Sequence, residues 1–290
     1  MRTDMLGTAA WGFREMDLVH QLEAVQGLGA SVHELGIANA PADVPADASE
    51  ALIDKVCSLY DSFGIRLLCA ATGNDFTVAE EADVRLDVEK VKKVTDICGR
   101  AKIKYLRIFA GFSPFQEVTG ERFTRMMAAL NETSAYASGK GVTLCIETHG
   151  GVRTYTDGVE HFSSVTTDYG ALSRLLLELD PRTGIVYDPA NLWAVSEETA
   201  DRRKIFELLE SRIRYVHCKE FSVTKYGHLR PAACGDTDMD WSTILASLGN
   251  FEGPVLIEYE QAYDVVKGCR KSMDYLKPLM RRNEENYESR

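Results

Sequence analysis

Four side chains able to bind a metal ion stand where short apolar runs of the chain break off. They are Glu147 in Leu144-Cys145-Ile146-Glu147, Asp188 in Ile185-Val186-Tyr187-Asp188-Pro189, His217 in Tyr215-Val216-His217-Cys218-Lys219, and Glu258 in Val255-Leu256-Ile257-Glu258. Successive members lie roughly 30–40 residues apart, about one strand-helix unit. Three carboxylates and one imidazole make a hard, oxygen-rich donor set. It suits Mn²⁺ best, also Mg²⁺ or Co²⁺, and admits Zn²⁺, with coordination positions left for substrate oxygens. A closed structural zinc site would need Cys and His spacings that the chain does not have. Taken singly, an acidic residue at a strand end reads as a helix cap or a solvated loop residue. A His in an apolar strand reads as a hydrogen-bonded core residue. Four in four successive units point instead to one divalent ion, because carboxylates gathered at one mouth without a counter-ion repel one another and their pKa values rise.

Such a site needs strands to carry it. Eight short apolar runs qualify: Met5–Ala10, Ser31–Gly36, Ile65–Ala70, Tyr105–Ala110, Val142–Glu147, Gly184–Tyr187, Ile213–Cys218 and Pro254–Glu258. Most are too short for helices and rich in Val, Ile, Leu, Cys and aromatics, as strands buried on both faces are. Between them the apolar spacing is helical, over Asp17–Leu28, Ser49–Phe63, Asp83–Gly99, Arg122–Ser138, Asp168–Leu179, Thr199–Glu210, Trp241–Leu248 and Tyr263–Met280. Ser49 reads as an N-cap, and Gly64, Gly99 and Gly139 as stops. Strand then helix, eight times, predicts an α/β fold of the (β/α)₈ TIM-barrel type in a single domain over residues 1–280. An open doubly wound sheet is the alternative, but the first turn, Ala9-Ala10-Trp11-Gly12-Phe13, lacks GxGxxG. The long connections Gly150–Thr167 and Lys219–Asp240 fall at the C-terminal ends of strands, where barrel active sites lie. The second is expected to be a mobile lid. Residues 281–290 read as a charged C-terminal tail with a frayed end.

Composition narrows the function classes. The 290 residues carry 33 basic and 44 acidic side chains, a net charge of −11. That argues against a nucleic-acid binder. No apolar stretch approaches the ~18 residues of a membrane span, and Met1–Gly7 has no apolar signal-peptide core. The seven cysteines form no CxxC pair. They read as reduced, mostly buried thiols of a cytoplasmic protein. No Gly-x-Ser-x-Gly elbow supports serine catalysis.

Glu at the end of strand five, Asp188-Pro189-Ala190-Asn191 after strand six, His217-Cys218-Lys219-Glu220 after strand seven and Glu258 ending strand eight resemble the xylose-isomerase-like barrels. These include ketose 3-epimerases, inosose dehydratases and endonuclease IV. Gly235-Asp236-Thr237-Asp238-Met239-Asp240-Trp241 is similar to the stretch before their seventh helix. The likeness covers nearly the whole chain. It implies a metal-dependent enzyme of carbohydrate metabolism, a small sugar-like substrate, and a homodimer or homotetramer. The family often has His where this chain has Asn191. The extra His ligands of endonuclease IV are missing from strands three and four.

In the resembling epimerases two ligand glutamates serve as the acid/base pair, here Glu147 and Glu258. The expected activity is isomerisation or epimerisation of a sugar or polyol carbonyl compound through an enediolate. A dehydratase or eliminase on the same scaffold is the second reading, and a non-catalytic barrel subunit the third. Six further residues are candidate substrate contacts. His149 faces the mouth or is a loop residue. Lys219 stabilises an enediolate oxygen or pairs with Glu220 or Glu258. Glu34, by resemblance, touches substrate, or else is a buried ion-pair partner. Arg107, inside the barrel, needs an anion such as Glu147 or Glu34. Asn191 replaces the usual His, and Trp11 walls the pocket or packs a loop.

Overall fold

The computed structural model describes residues 1–196 and 199–288. Among the described residues twelve strands form two sheets, numbered here in chain order. The barrel uses β1 (Leu6–Thr8), β2 (Leu35–Gly36), β3 (Cys69–Ala71), β4 (Tyr105–Ile108), β5 (Thr143–Glu147), β8 (Gly184–Tyr187), β9 (Ile213–Cys218) and β12 (Val255–Ile257). They run parallel in the order β2-β3-β4-β5-β8-β9-β12-β1. The ring closes between Thr8 and His33: Thr8 N donates to Val32 O at 3.1 Å, and Glu34 N donates to Thr8 O at 3.0 Å. This is the expected (β/α)₈ barrel.

The helices are α1 (Leu18–Leu28), α2 (Glu50–Phe63), α3 (Glu81–Arg100), α4 (Gly120–Gly139), α5 (Tyr169–Glu178), α6 (Pro189–Val195), α7 (Thr199–Leu209), α8 (Trp241–Ser247) and α9 (Val265–Glu288). Their starts are set by short acceptors. Asp17, Ser49, Asp168 and Asp240 each accept the backbone N–H three residues on, satisfying an orphan donor of the first turn. Gly64 ends α2 at φ 66°, where a Cβ would be strained. One apolar shell, including Leu22, Val25, Ile53, Val88, Val91, Leu130 and Leu172, packs in the main core. A second cluster joins Val32, Cys69, Tyr105, Cys145, Val186, Tyr215 and Leu256. It comes from seven of the barrel's strands or their starts, and this packing makes the barrel solid beneath its mouth.

Two expectations are corrected. The long connections are not open loops. Gly151–Tyr155 (β6) and Gly158–Phe162 (β7) form one hairpin, and Glu220–Val223 (β10) and Leu229–Ala232 (β11) form another. They join as a four-stranded sheet, β10-β11-β7-β6. The expected mobile lid is therefore a paired structure. His228 Nδ1 and Asp157 Oδ1, from the two hairpins, are 2.6 Å apart, and the His228 ring stacks on Tyr155 at 4.0 Å. Helix α9 also continues past Met280, to Glu288. Buried Leu276 and Met280 anchor it, and the following Arg and Glu residues are good helix formers. Residues 289 and 290 of the expected tail lie outside the described residues. Among the described residues no helix is long and apolar enough to cross a membrane. All seven cysteines are free, and six are buried.

Candidate metal centre

Consecutive barrel strands β5, β8, β9 and β12 deliver Glu147, Asp188, His217 and Glu258 to one point. One ligand atom from each lies within 4.8 Å of the others. His217 Nδ1 is 3.4 Å from Glu147 Oε1 and 3.5 Å from Glu258 Oε2. The four are 0–3% exposed, so their charges are held out of water. Both His217 ring nitrogens and Asp188 Oδ2 are buried with no hydrogen-bond partner among the described residues. Groups of this kind are expensive to leave unpaired. Asp188 shows how the site is shared with the fold. Its Oδ1 caps α6 by accepting Asn191 N at 2.9 Å, and its Oδ2 is left for the centre. A buried carboxyl oxygen and an imidazole, held only by ion-pair contacts at 3.2–3.5 Å, fit a divalent cation.

Two cations buttress the carboxylates. Arg107 Nε stands 3.3 Å from Glu147 Oε2, and Arg107 Nη1 donates to Thr72 O at 3.2 Å. Lys219 Nζ donates to Glu258 Oε2 and Glu260 Oε1, both at 2.8 Å, and lies 3.2 Å from Asp188 Oδ2. The charge balance follows. Burial pushes the Asp188 carboxyl up to about 7, against the pull of Lys219. Burial also opposes ionisation of Glu258, but Lys219 and His217 outweigh it and hold Glu258 well below the usual range. Glu147 is likewise lowered, because His217 and Arg107 outweigh burial and the repulsion of Glu258. His217 would lose its proton by burial alone, yet Glu258, Glu34 and Glu147 raise it well above the usual value. A divalent ion would take over that role and leave the imidazole neutral.

The other candidates are distributed around this point. Glu34 is fully buried, accepting Tyr215 OH at 2.9 Å and Ala10 N at 3.1 Å, with His217 Nε2 at 3.5 Å. Asn191 Nδ2 donates to Thr148 O at 3.0 Å and to Glu147 Oε1 at 3.3 Å, while its Oδ1 is unpartnered. His149 lies at the mouth against Phe109 and Phe112, with ring centroids 5.2 and 5.4 Å away. Its Nδ1 hydrogen-bonds Gly150 O, and burial lowers its pKa, so it stays neutral with Nε2 unprotonated. Trp11 is half-buried on the first turn, its ring 4.7 Å beneath the Arg14 guanidinium. Lys219 pairs with Glu258 and not with Glu220. Glu220 instead accepts Gly235 N, Thr237 N, Thr237 Oγ1 and Trp241 Nε1, stapling the loop before α8.

With the site in place, the chain can be set beside known proteins. Residues 22–279 match the xylose isomerase-like TIM barrel family. The chain belongs to that family. No curated protein sequence matches it significantly. Several solved structures share its fold. The probable 3-DHS dehydratase of Bacillus anthracis is 14% identical at a TM-score of 0.73, with 93% of this chain and 97% of that one covered. A D-tagatose 3-epimerase-like protein is 16% identical at 0.73, covering 97% and 98%. A family protein from Mycobacterium smegmatis in complex with magnesium is 13% identical at 0.70, covering 96% and 97%. These neighbours thus include an epimerase-like protein and a probable dehydratase.

Sequence reasoning missed three neighbours of the centre. Tyr215 reaches Glu34 from β9 two residues before His217. Glu260 follows Glu258 by two and closes on Lys219. His161, on β7, stands 5.1 Å from the Phe221 ring with Nδ1 unpartnered. The period-two spacing of Tyr215, His217 and Lys219 is a signal that would have placed Tyr215 on the inward face. Asp157-Gly158 between two short β-prone runs is a hairpin signal that would have placed His161.

Proposed function

We propose that the protein is a divalent-metal-dependent isomerase or epimerase of a sugar or related polyol carbonyl compound, with Mn²⁺ as the preferred ion. The observation that carries this reading is the convergence of Glu147, Asp188, His217 and Glu258, with carboxylates 3.4–3.5 Å from both nitrogens of His217 but no hydrogen bond to either. Those four residues would hold the ion. Bound there, a divalent cation supplies Lewis acidity toward a carbonyl and its neighbouring hydroxyl, favouring an enediolate. The remaining chemistry belongs to the side chains. Glu147 and Glu258 sit at the two ends of the row of four strands, both held ionised, so each can accept or return a proton. Lys219, beside Glu258, offers an ammonium to a developing oxyanion. Asn191 stands beside Glu147, donating Nδ2 to its Oε1 at 3.3 Å. The substrate is a small molecule.

A lyase on the same scaffold is the second reading, and His149 supports it. Its neutral ring and unprotonated Nε2 supply a base outside the ligand set, as an elimination of water requires. The test is incubation of Mn²⁺-loaded protein in D₂O with D-tagatose, D-fructose and a dehydroshikimate-type ketone. Deuterium uptake beside the carbonyl with formation of the 3-epimer (D-sorbose from D-tagatose, D-psicose from D-fructose) or of the aldose, abolished by EDTA, supports the first reading. Loss of water from the cyclic ketone without ketose exchange supports the second. Absence of both contradicts the enzyme reading.

A further inference from the structure

The mouth contains one carboxylate in hydrogen-bond contact with Lys219 that is not among the four candidate ligands. Glu260 Oε1 accepts Lys219 Nζ at 2.8 Å. The other acids touching that ammonium, Glu258 and Asp188, would have their charge drawn toward an ion. Glu260 would not. It is also fixed from outside. Arg14 Nη1 donates to Glu260 O at 3.0 Å and to Trp11 O at 2.8 Å, tying the last strand's exit to the first turn. Gly12 makes that docking feasible, because a Cβ there would collide with the Tyr259 carbonyl oxygen. Lys219 itself is 2% exposed, whereas the Glu260 side chain is 21% exposed. The clamp therefore reaches inward from the rim, and removing it opens no cavity in the core.

We propose that Glu260 is a positioning residue: backed by Arg14, it draws the Lys219 ammonium toward the rim and keeps it from closing on Asp188 Oδ2, 3.2 Å away. Without it, Lys219, still hydrogen-bonded to Glu258, closes on Asp188 and competes with an incoming cation. The assignment rests on the metal reading above for its functional consequence, and on the distances alone for the tether.

The experiment is a double-mutant cycle read by calorimetric titration of MnCl₂ into metal-stripped full-length protein, comparing wild type, Glu260→Ala, Lys219→Met and the double variant. Glu260→Ala is expected to weaken Mn²⁺ binding about ten-fold when Lys219 is present, the worth of one hydrogen bond to a charged group. In the Lys219→Met background the same change should cost no more than about two-fold, since independent sites add and coupled ones do not. Glu260→Gln, which keeps a carbonyl acceptor, should restore part of the loss. Equal losses in both backgrounds would overturn the proposal, because they would mean that Glu260 acts without Lys219. A crystal structure of Glu260→Ala supplies the second readout. Displacement of Lys219 Nζ toward Asp188 Oδ2 supports the tether, and an unmoved Nζ overturns it. Failure of the wild type to bind Mn²⁺ would instead remove the metal reading, leaving the tether to be judged by the crystal structure.

Discussion

β1 to β4 end on Thr8, Gly36, Ala71 and Ile108, whereas β5, β8, β9 and β12 end on or beside Glu147, Asp188, His217 and Glu258. Both halves of the barrel follow the same plan of short parallel strands backed by helices. They differ in what they present at the mouth. The second half supplies every candidate ligand from neighbouring paired strands, so the donors are fixed by the sheet's hydrogen bonds. The first half supplies Glu34, which presses on His217 from across the mouth, and Arg107, which presses on Glu147 from the neighbouring strand. Chemistry is thus concentrated on one side, and the opposite side sets its charge. The cap repeats this asymmetry, since both hairpins arise from the second half, after β5 and within the connection following β9.

The largest effects should come from the second half. Glu147→Gln and Glu258→Gln retain shape and a carbonyl oxygen but lose the proton acceptor. At saturating metal each should lose about 10²–10⁴-fold in turnover, measured as solvent deuterium exchange from each epimer. Near-normal exchange in both would end the two-carboxylate mechanism and turn attention to His149 and Lys219.

A change in the first half should read out as stability. Arg107→Met strands Glu147 without its guanidinium partner, and breaking one side of a buried pair costs roughly 3–5 kcal/mol. Urea unfolding of the metal-free variant checks this. A variant as stable as wild type would mean that the first half does not carry the charge balance.

The barrel's closure lies in the first half too, and it should be acid-sensitive. His33 is fully buried, its Nδ1 2.8 Å from Thr8 Oγ1 and its Nε2 3.1 Å from Gln21 Oε1. Burial lowers its pKa to about 4. The unfolded chain, with an ordinary His, binds that proton more readily. Stability from a neutral His33 is therefore complete above pH ~6.5 and lost as pH falls through about 4, a contribution of roughly 3 kcal/mol. Unfolding free energy measured from pH 7 to 4 should show this slope, and His33→Gln should flatten it. An unchanged slope in His33→Gln would refute the assignment.

The smallest effect concerns the second half again. With Asp188 raised to about 7 by burial, a proton competes with a cation for the centre. Mn²⁺ affinity should fall by at least about ten-fold for each pH unit below 7. A flat profile between pH 7 and 5.5 would show that Asp188 is already ionised without the ion.

Much of this was readable in the chain. Glu147, Asp188, His217 and Glu258 each mark the break of a doubly buried strand, and such breaks are legible because apolar runs have sharp ends. Arg107 was foreseen as needing an anion, since a guanidinium cannot be buried alone. The helix starts at Asp17, Ser49 and Asp168 follow from side-chain capping, which is local. The misses were of another kind. Helix α6 was overlooked although Asp188-Pro189 carries a cap and an N1 proline, because its seven residues follow the strand without a gap. The hairpins were read as loops, because their strands are exposed on one side and show little apolar alternation. Glu260's partnership with Lys219 depends on bringing residues 41 apart to one rim, which no local pattern encodes.

The central claim is that one divalent ion sits among Glu147, Asp188, His217 and Glu258. The most direct test is a crystal grown with MnCl₂ and measured for anomalous scattering. The account predicts one manganese peak per chain, about 2.0–2.6 Å from a donor atom of each of the four residues, and no peak in His217→Ala crystals. A peak elsewhere, no peak at millimolar Mn²⁺, or an undiminished peak in His217→Ala would contradict it.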